Sequence, residues 1–229
     1  MKKQQLETRA LHAELTAIRS QMNPHFIFNV LTAIQAKVIQ GHSAEAYQNI
    51  GDFADLIRNV LEKSGEEYIF LEEEIELMKN YVELENSRMD IPFSFTVDLD
   101  DAEFFDGVLI PTLITQPLIE NAIRHAFPAE KKDRHIQLKA RRTPVGFELE
   151  VIDNGIGMER SSKKASDHVA FALPALEKRI EVLSRGSSFP YRISLRIDSD
   201  SNGTSVQFNF EFRDAVSYTH LRAHETLVH

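Results

Sequence analysis

Apolar residues in the first part of the chain recur every three or four positions. Leu6, Leu11, Leu15, Ile18 and Met22 make one such seam with polar residues between them, which predicts an amphipathic helix. Pro24 interrupts it, because proline removes a backbone donor and kinks the axis. The apolar pattern resumes at Phe26, Leu31, Ile34 and Val38. Gly41-His42-Ser43 offers a C-cap glycine, a turn and an N-cap serine. Ala46, Ile50, Phe53, Ile57, Val60 and Leu61 then predict a second helix antiparallel to the first, stopped at Ser64-Gly65. Leu71, Ile75, Met78, Val82 and Leu84 predict a third, closing near Arg88. Helices joined by short turns form hairpins or bundles, and core packing is the ordinary role of each apolar residue here.

Near Asp90 the period changes. Phe93, Phe95 and Val97 alternate with polar residues as a strand does. Pro111 is placed to open a helix at its first position, running to about Phe127. Ile136 to Arg142 and Phe147 to Ile152 alternate like paired strands around Thr143-Pro144-Val145-Gly146. The polar stretch from Asn154 to His168 predicts a long loop, a common form of functional lid. Leu173 to Leu183 predicts another helix, and Tyr191 to Ile197 with Ser205 to Phe212 a last strand pair about Asp200-Ser201-Asn202-Gly203. Helices set beside a mainly antiparallel sheet make an α+β sandwich. The expected organisation is a helical region over residues 1–90 and an α/β sandwich over residues 91–215.

Composition acts mainly by exclusion. With 229 residues, 42% hydrophobic and 27% charged, the chain is an ordinary globular sequence of one or two domains. A net charge of -9 argues against a nucleic-acid partner, since phosphates call for Lys/Arg stripes. The absence of cysteine removes disulfides, thiolate metal sites and cysteine nucleophiles. No apolar run reaches the roughly 18 residues a membrane span needs. Val216 to Thr226 looks like a sequencing adapter translated in frame, so residues 216–229 are set apart from the fold. His220, His224 and His229 are then no metal tract, and the natural C-terminus is expected to be missing, with an incomplete N-terminus left open.

Four short motifs carry candidate chemistry. The first runs from Gln21 to Asn29 and places His25 just after the Pro24 kink. A neutral imidazole is a competent nucleophile toward phosphorus, and Asn29, one turn on, is placed to hydrogen-bond the ring. A lone helical histidine is more often structural or solvated. The second is Gln116-Pro117-Leu118-Ile119-Glu120-Asn121-Ala122-Ile123-Arg124-His125. Asn121 and His125 share a helix face with Arg124 beside them. An amide oxygen and the Glu120 carboxylate suit Mg²⁺, while Arg124 or His125 can meet phosphate oxygens. A polar exposed helix face is the plainer alternative. The third, Asp153-Asn154-Gly155-Ile156-Gly157-Met158, follows a strand; Asp153 can accept from an exocyclic amine, and Gly155 and Gly157 allow close approach of a ligand. The fourth, Asn202-Gly203-Thr204, is on its own only a hairpin turn.

In this order and spacing the four motifs resemble the LytS/YesM type of sensor histidine kinase, in which an NPHF-containing dimerisation helix precedes a GHKL-type ATP-binding domain. The likeness runs from roughly Leu11 to Phe212. It also takes in Phe53-Ala54-Asp55-Leu56-Ile57-Arg58, Leu71-Glu72-Glu73-Glu74, Tyr81-Val82-Glu83-Leu84-Glu85 with Arg88, and Ile110-Pro111. The resemblance implies that His25 accepts the phosphoryl group of ATP. It implies that Asn121 binds Mg²⁺ with Glu120 assisting, that Asp153 recognises the adenine amine, that Gly155 and Gly157 line the pocket and that Thr204 lies close to it. It further implies a homodimer and a response-regulator partner of LytTR or AraC type. The chain would be the cytoplasmic portion of a membrane-anchored bacterial kinase whose sensor region lies outside it.

One stretch departs from that pattern. Where the family carries a second glycine box, this chain has Ala170-Phe171-Ala172-Leu173-Pro174-Ala175. Alanine disfavours positive φ and Pro174 removes a donor from the first helical turn, which weakens the expected grip on phosphate. A degenerate pseudokinase that senses nucleotide is therefore the alternative. A GHKL ATPase is a third possibility, against which the NPHF helix argues.

Overall fold

The computed structural model describes residues 24–158, 169–185 and 189–213. The seam expected before Pro24, most of the expected lid and the adapter-like tail lie outside the described residues.

Helix α1 (Pro24–Ile39) turns at Gln40 and Gly41 into α2 (Ser43–Ser64), which packs against both α1 and α3 (Leu71–Asn86). His42, not Ser43, is the N-cap of α2, and its side chain makes no capping bond. The buried stripes are narrower than the sequence pattern. Phe26, Val30 and Ile34 go inward from α1, and Ala46, Asn49, Leu56 and Val60 from α2. Leu31, Val38 and Ile50, counted among the apolar seams, instead face solvent.

Strand β1 (Tyr68–Phe70) leads into α3 and pairs antiparallel with β3 (Leu109–Pro111). Tyr68 lies opposite Pro111, so Pro111 closes a strand and does not open a helix. The reason is local. Ile110 and Pro111 are buried and pair with Ile69 and Tyr68, and the following residues turn sharply, with Leu113 at φ 57. Helix α5 begins only at Gln116, with Pro117 in its first turn, and ends at Asn121. It continues as a π-helical turn, Ala122–Ala126, a form found mostly at functional sites.

The main sheet has five strands in the order β2-β4-β5-β7-β6. These are β2 (Ser94–Leu99), β4 (His135–Thr143), β5 (Gly146–Asp153), β7 (Gly203–Phe212) and β6 (Tyr191–Asp200). Only β2 with β4 is parallel. The short α4 (Ala102–Phe105) follows β2, and α6 (Val169–Arg185) precedes β6. Pro174 stands inside α6 and not in its first turn.

Register decides which face is buried. Leu138, Val151 and Val206 lie in one row, and Ala140, Leu149 and Phe208 in the next, all turned to the helices. Gln137, Glu150 and Gln207, one residue away on each strand, are only partly buried, as period two requires. Phe105, Phe147, Phe189, Tyr191 and Phe210 close the far end as edge-to-face and stacked rings. Each buried ring of this size contributes about 1.5–3 kcal/mol. The result is an α/β sandwich with helices on one face of a mixed sheet. No described helix is long and apolar enough to cross a membrane.

Candidate functional site

A pocket opens between the helix layer and the sheet. Leu118, Asn121, His125 and Ala126 wall it from α5 and the π turn; Val151, Asp153, Thr204 and Val206 from β5 and β7; Gly157 and Met158 from the loop after β5; and Leu173 from α6. Asn121, His125, Asp153, Gly157 and Thr204 thus converge although they lie in three separate motifs.

The wall after β5 is built by close backbone approach. Ile156 N donates to Ala126 O at 2.9 Å, pinning the loop to the π turn. A Cβ at Gly155 would fall 2.4 Å from that same carbonyl, so only glycine fits. Gly157 sits at φ +74 with its α-carbon turned to the β6–β7 hairpin, where a Cβ would meet Asp200 O at 1.8 Å. Asn154 fastens the loop's other side: its Oδ1 accepts from His135 N at 2.8 Å and its Nδ2 donates to Asp133 O at 3.1 Å. Ser199 Oγ accepts from Met158 N at 2.8 Å and lies 3.2 Å from Thr204 Oγ1.

Asp153 is buried at the end of β5, and its Oδ1 accepts from Gly155 N at 2.8 Å. Burial pushes its carboxyl above the usual aspartate range, while bonds from Gly155 and Thr204 pull the other way. The pocket is thus apolar on its walls, with one buried acceptor at its floor and an amide, an imidazole and a hydroxyl around it. That arrangement suits a flat heteroaromatic ring bearing an exocyclic amine.

Glu120 and Arg124 are not brought to the pocket. They form an i, i+4 ion pair at 2.9 Å on another side of α5, within the electrostatic reach of Tyr81 and Glu85 on α3. His25 stands in the first turn of α1, but its side chain lies outside the described residues, as do those of Ala170 and Ala172. Its neighbour Phe26 is described: the ring lies 4.8 Å from that of Tyr81. The phosphoacceptor candidate's helix is therefore joined through α3 to the helix that carries Asn121. Asn29 is half-buried on α1.

Sequence reasoning passed over three buried charges, Glu74, Glu85 and Arg179. Glu74, Met78, Tyr81 and Glu85 repeat at four, three and four residues and form one inward stripe of α3. That register was the available signal.

A mixed five-stranded sheet covered by helices, with this pocket between the layers, makes an α/β sandwich, and a helical hairpin precedes it. Residues 13–93 match the histidine kinase family. Over 210 residues the chain is 33% identical to the sensor protein LytS of Staphylococcus saprophyticus, covering 88% of this chain and 34% of that protein. It is 27% identical over 204 residues to the sensor histidine kinase YesM of Bacillus subtilis, covering 89% and 34%. A histidine kinase domain from a blue-light activated kinase of Erythrobacter litoralis aligns with a TM-score of 0.43 at 12% identity, over 88% of this chain and 95% of that one. Its N-terminal helices thus match the histidine kinase family model, and the chain is similar to the LytS and YesM sensor proteins, of whose length it spans about a third.

Proposed function

We propose that this chain is the catalytic core of a two-component sensor histidine kinase, which uses ATP to phosphorylate His25 and passes the phosphoryl group to an aspartate of a response regulator. The observation that carries this is the convergence of Asn121, His125, Asp153, Gly157 and Thr204 on one pocket.

In this reading Asp153 accepts a hydrogen bond from the adenine amine, and Leu118, Val151 and Val206 sandwich the base. His125 faces the phosphates, and Gly157 and Thr204 shape the floor. No group of three acidic or histidine side chains is gathered among the described residues. Mg²⁺ takes few protein ligands when phosphate oxygens are present, and Asn121 on the pocket wall would be the residue that holds it. The ion would offset charge on the phosphates. The unprotonated nitrogen of His25 attacks the γ-phosphorus, the bond to the bridging β-oxygen breaks, and ADP leaves with the electron pair. The proton on the other ring nitrogen is then lost. Asn29 stands one turn along α1 from His25 and, in this reading, would orient the ring. Glu120 and Arg124 pair with each other outside the pocket lining, so in this reading they support the helix that carries Asn121. A homodimer through the α1–α2 hairpin, a LytTR-type or AraC-type regulator and a membrane sensor region outside this chain complete the proposal.

A second reading, a nucleotide-binding pseudokinase, is favoured by one observation. Helix α6 runs through Ala170 and Ala172, where the resemblance calls for a glycine loop. Incubation with γ-labelled ATP separates the readings. Acid-labile, base-stable label that disappears in His25→Gln supports the kinase. Nucleotide binding without label supports the pseudokinase, and free phosphate without labelled protein supports an ATPase.

A further inference from the structure

The segment that leads into α5 is gripped from both sides by buried charges. Glu74 on α3 is fully buried, and its carboxylate accepts from Leu113 N at 2.8 Å, Thr115 N at 2.9 Å and Thr115 Oγ1 at 2.6 Å. Arg179 on α6 is 5% exposed and donates to the carbonyls of Leu113, at 3.4 Å, and Thr112. The acid takes the donors of the segment and the base takes its acceptors. Between them Leu113 adopts φ 57, a conformation that costs a branched side chain about 1–2 kcal/mol and persists only when its surroundings over-determine it.

The position of this grip matters. Thr115 is immediately followed by α5, whose Leu118 and Asn121 wall the pocket, while Arg179 lies on the helix whose Leu173 walls it from the other side. Glu74 lies on the stripe of α3 that also carries Tyr81, the ring in contact with Phe26 beside His25. Three helices that must act together therefore meet at four residues, Thr112 to Thr115. Packing alone would not need charges here, since a buried ion pair adds little to stability over apolar residues of the same size, while losing one partner costs heavily.

We propose that Glu74 and Arg179 are positioning residues that jointly set the placement of Asn121, so that the helix following the lid loop and the helix beside the phosphoacceptor hairpin are both tied to the metal-nucleotide end of the pocket. The inference rests on the reading of Asn121 as a Mg²⁺ ligand. Neither residue touches the nucleotide. Their effect passes through the start of α5.

The test compares binding of a non-hydrolysable ATP analogue with Mg²⁺ and with EDTA, in the whole chain and in Glu74→Gln, Arg179→Lys and Arg179→Met. Circular dichroism at the assay temperature confirms folding. Glutamine keeps the volume of Glu74 but turns an NH₂ group toward a backbone N–H. Glu74→Gln is expected to weaken Mg²⁺-dependent binding about 10–100-fold, the loss of one or two charged hydrogen bonds, with binding in EDTA nearly unchanged. Arg179→Met should behave alike and Arg179→Lys should restore part of the loss. An equal loss with and without the metal, or no loss, overturns the proposal. If Glu74→Gln does not fold, the contrast between Arg179→Lys and Arg179→Met decides by the same criterion. If the unaltered chain shows no Mg²⁺-dependent binding, or Asn121→Ala leaves that binding intact, the reading of Asn121 fails separately. Amide hydrogen exchange then decides the grip alone: faster exchange at residues 113–121 in Glu74→Gln, with β4 and β5 unchanged, upholds it, and unchanged exchange overturns it.

Discussion

Asp153 faces opposite demands from folding and from binding. The adenine amine proposed for this pocket would be held more strongly by an ionised acceptor, whereas burial disfavours the charge and raises the folded-state pKa above the ordinary 3.8. A carboxyl raised in the folded state contributes stability that is fully present below its unfolded pKa and is lost as pH rises through the folded one. At neutral pH the ionised carboxylate is therefore a cost to the empty protein. Asp153→Asn is expected to leave thermal stability equal or higher at neutral pH while weakening ATP-analogue binding about 10-fold or more, since the amide oxygen is a weaker acceptor. Binding by the unaltered chain should fall as pH drops from neutrality into a window above 3.8, and Asp153→Asn should flatten that profile. Fluorescence titration of a labelled analogue across that range checks both; an unchanged profile would remove Asp153 from the base pocket. Asp153 was legible in the sequence only because its motif, common by itself, stands in order and spacing with the other three. The grip of Glu74 and Arg179 was not legible: the register of α3 places Glu74 on its inward stripe, but periodicity says nothing of a backbone segment that will need both donors and acceptors.

At the scale of elements, the strands were the most legible part, since one face of the sheet is apolar and the alternation had a single register to satisfy. The start of α5 was misplaced by proline chemistry that serves two purposes. Pro111 ends a strand whose partner Tyr68 lies far away in sequence, and nothing local distinguishes that from a helix start. The π turn was equally hidden, because it arises where the helix end must meet the Gly155 loop. The same loop's seat against the β6–β7 hairpin can be tested with two glycines that share a backbone conformation. Gly107 and Gly157 both lie at φ +74, but a Cβ at Gly107 meets nothing within 4 Å, whereas one at Gly157 overlaps Asp200 O. Gly107→Ala should cost only the left-handed strain, about 1–2 kcal/mol. Gly157→Ala should cost at least ~3 kcal/mol or push the loop away from the hairpin, with loss of nucleotide binding. Urea denaturation with both variants separates strain from collision; equal costs would show that the loop yields freely.

The molecule as a whole is unevenly finished. The sandwich buries its large side chains, yet the hairpin leaves Phe28 67%, Ile39 86% and Tyr47 81% exposed, with Leu31, Val38 and Ile50 beside them in the same two helices. A single apolar side chain on a surface needs no explanation, but six on one hairpin exceed what scattered exposure accounts for. The apolar pattern of α1 and α2, wider than the stripe they bury, is explained if they have two packing faces: one against α3, and one against the same surface of a second chain, as an isologous dimer requires. Most of that surplus lies on α1, the helix of the proposed phosphoacceptor, so pairing there would bring two copies of α1 together. Sedimentation of the chain at micromolar concentration should give a dimer, and Phe28→Glu combined with Ile39→Glu should give a monomer, because a buried unpaired carboxylate at a symmetric contact is repeated twice. Nucleotide affinity should stay the same in that monomer, because neither residue is near the pocket. A variant that stays dimeric would move the interface elsewhere, and one that also loses nucleotide would show the hairpin to be part of the sandwich's own stability.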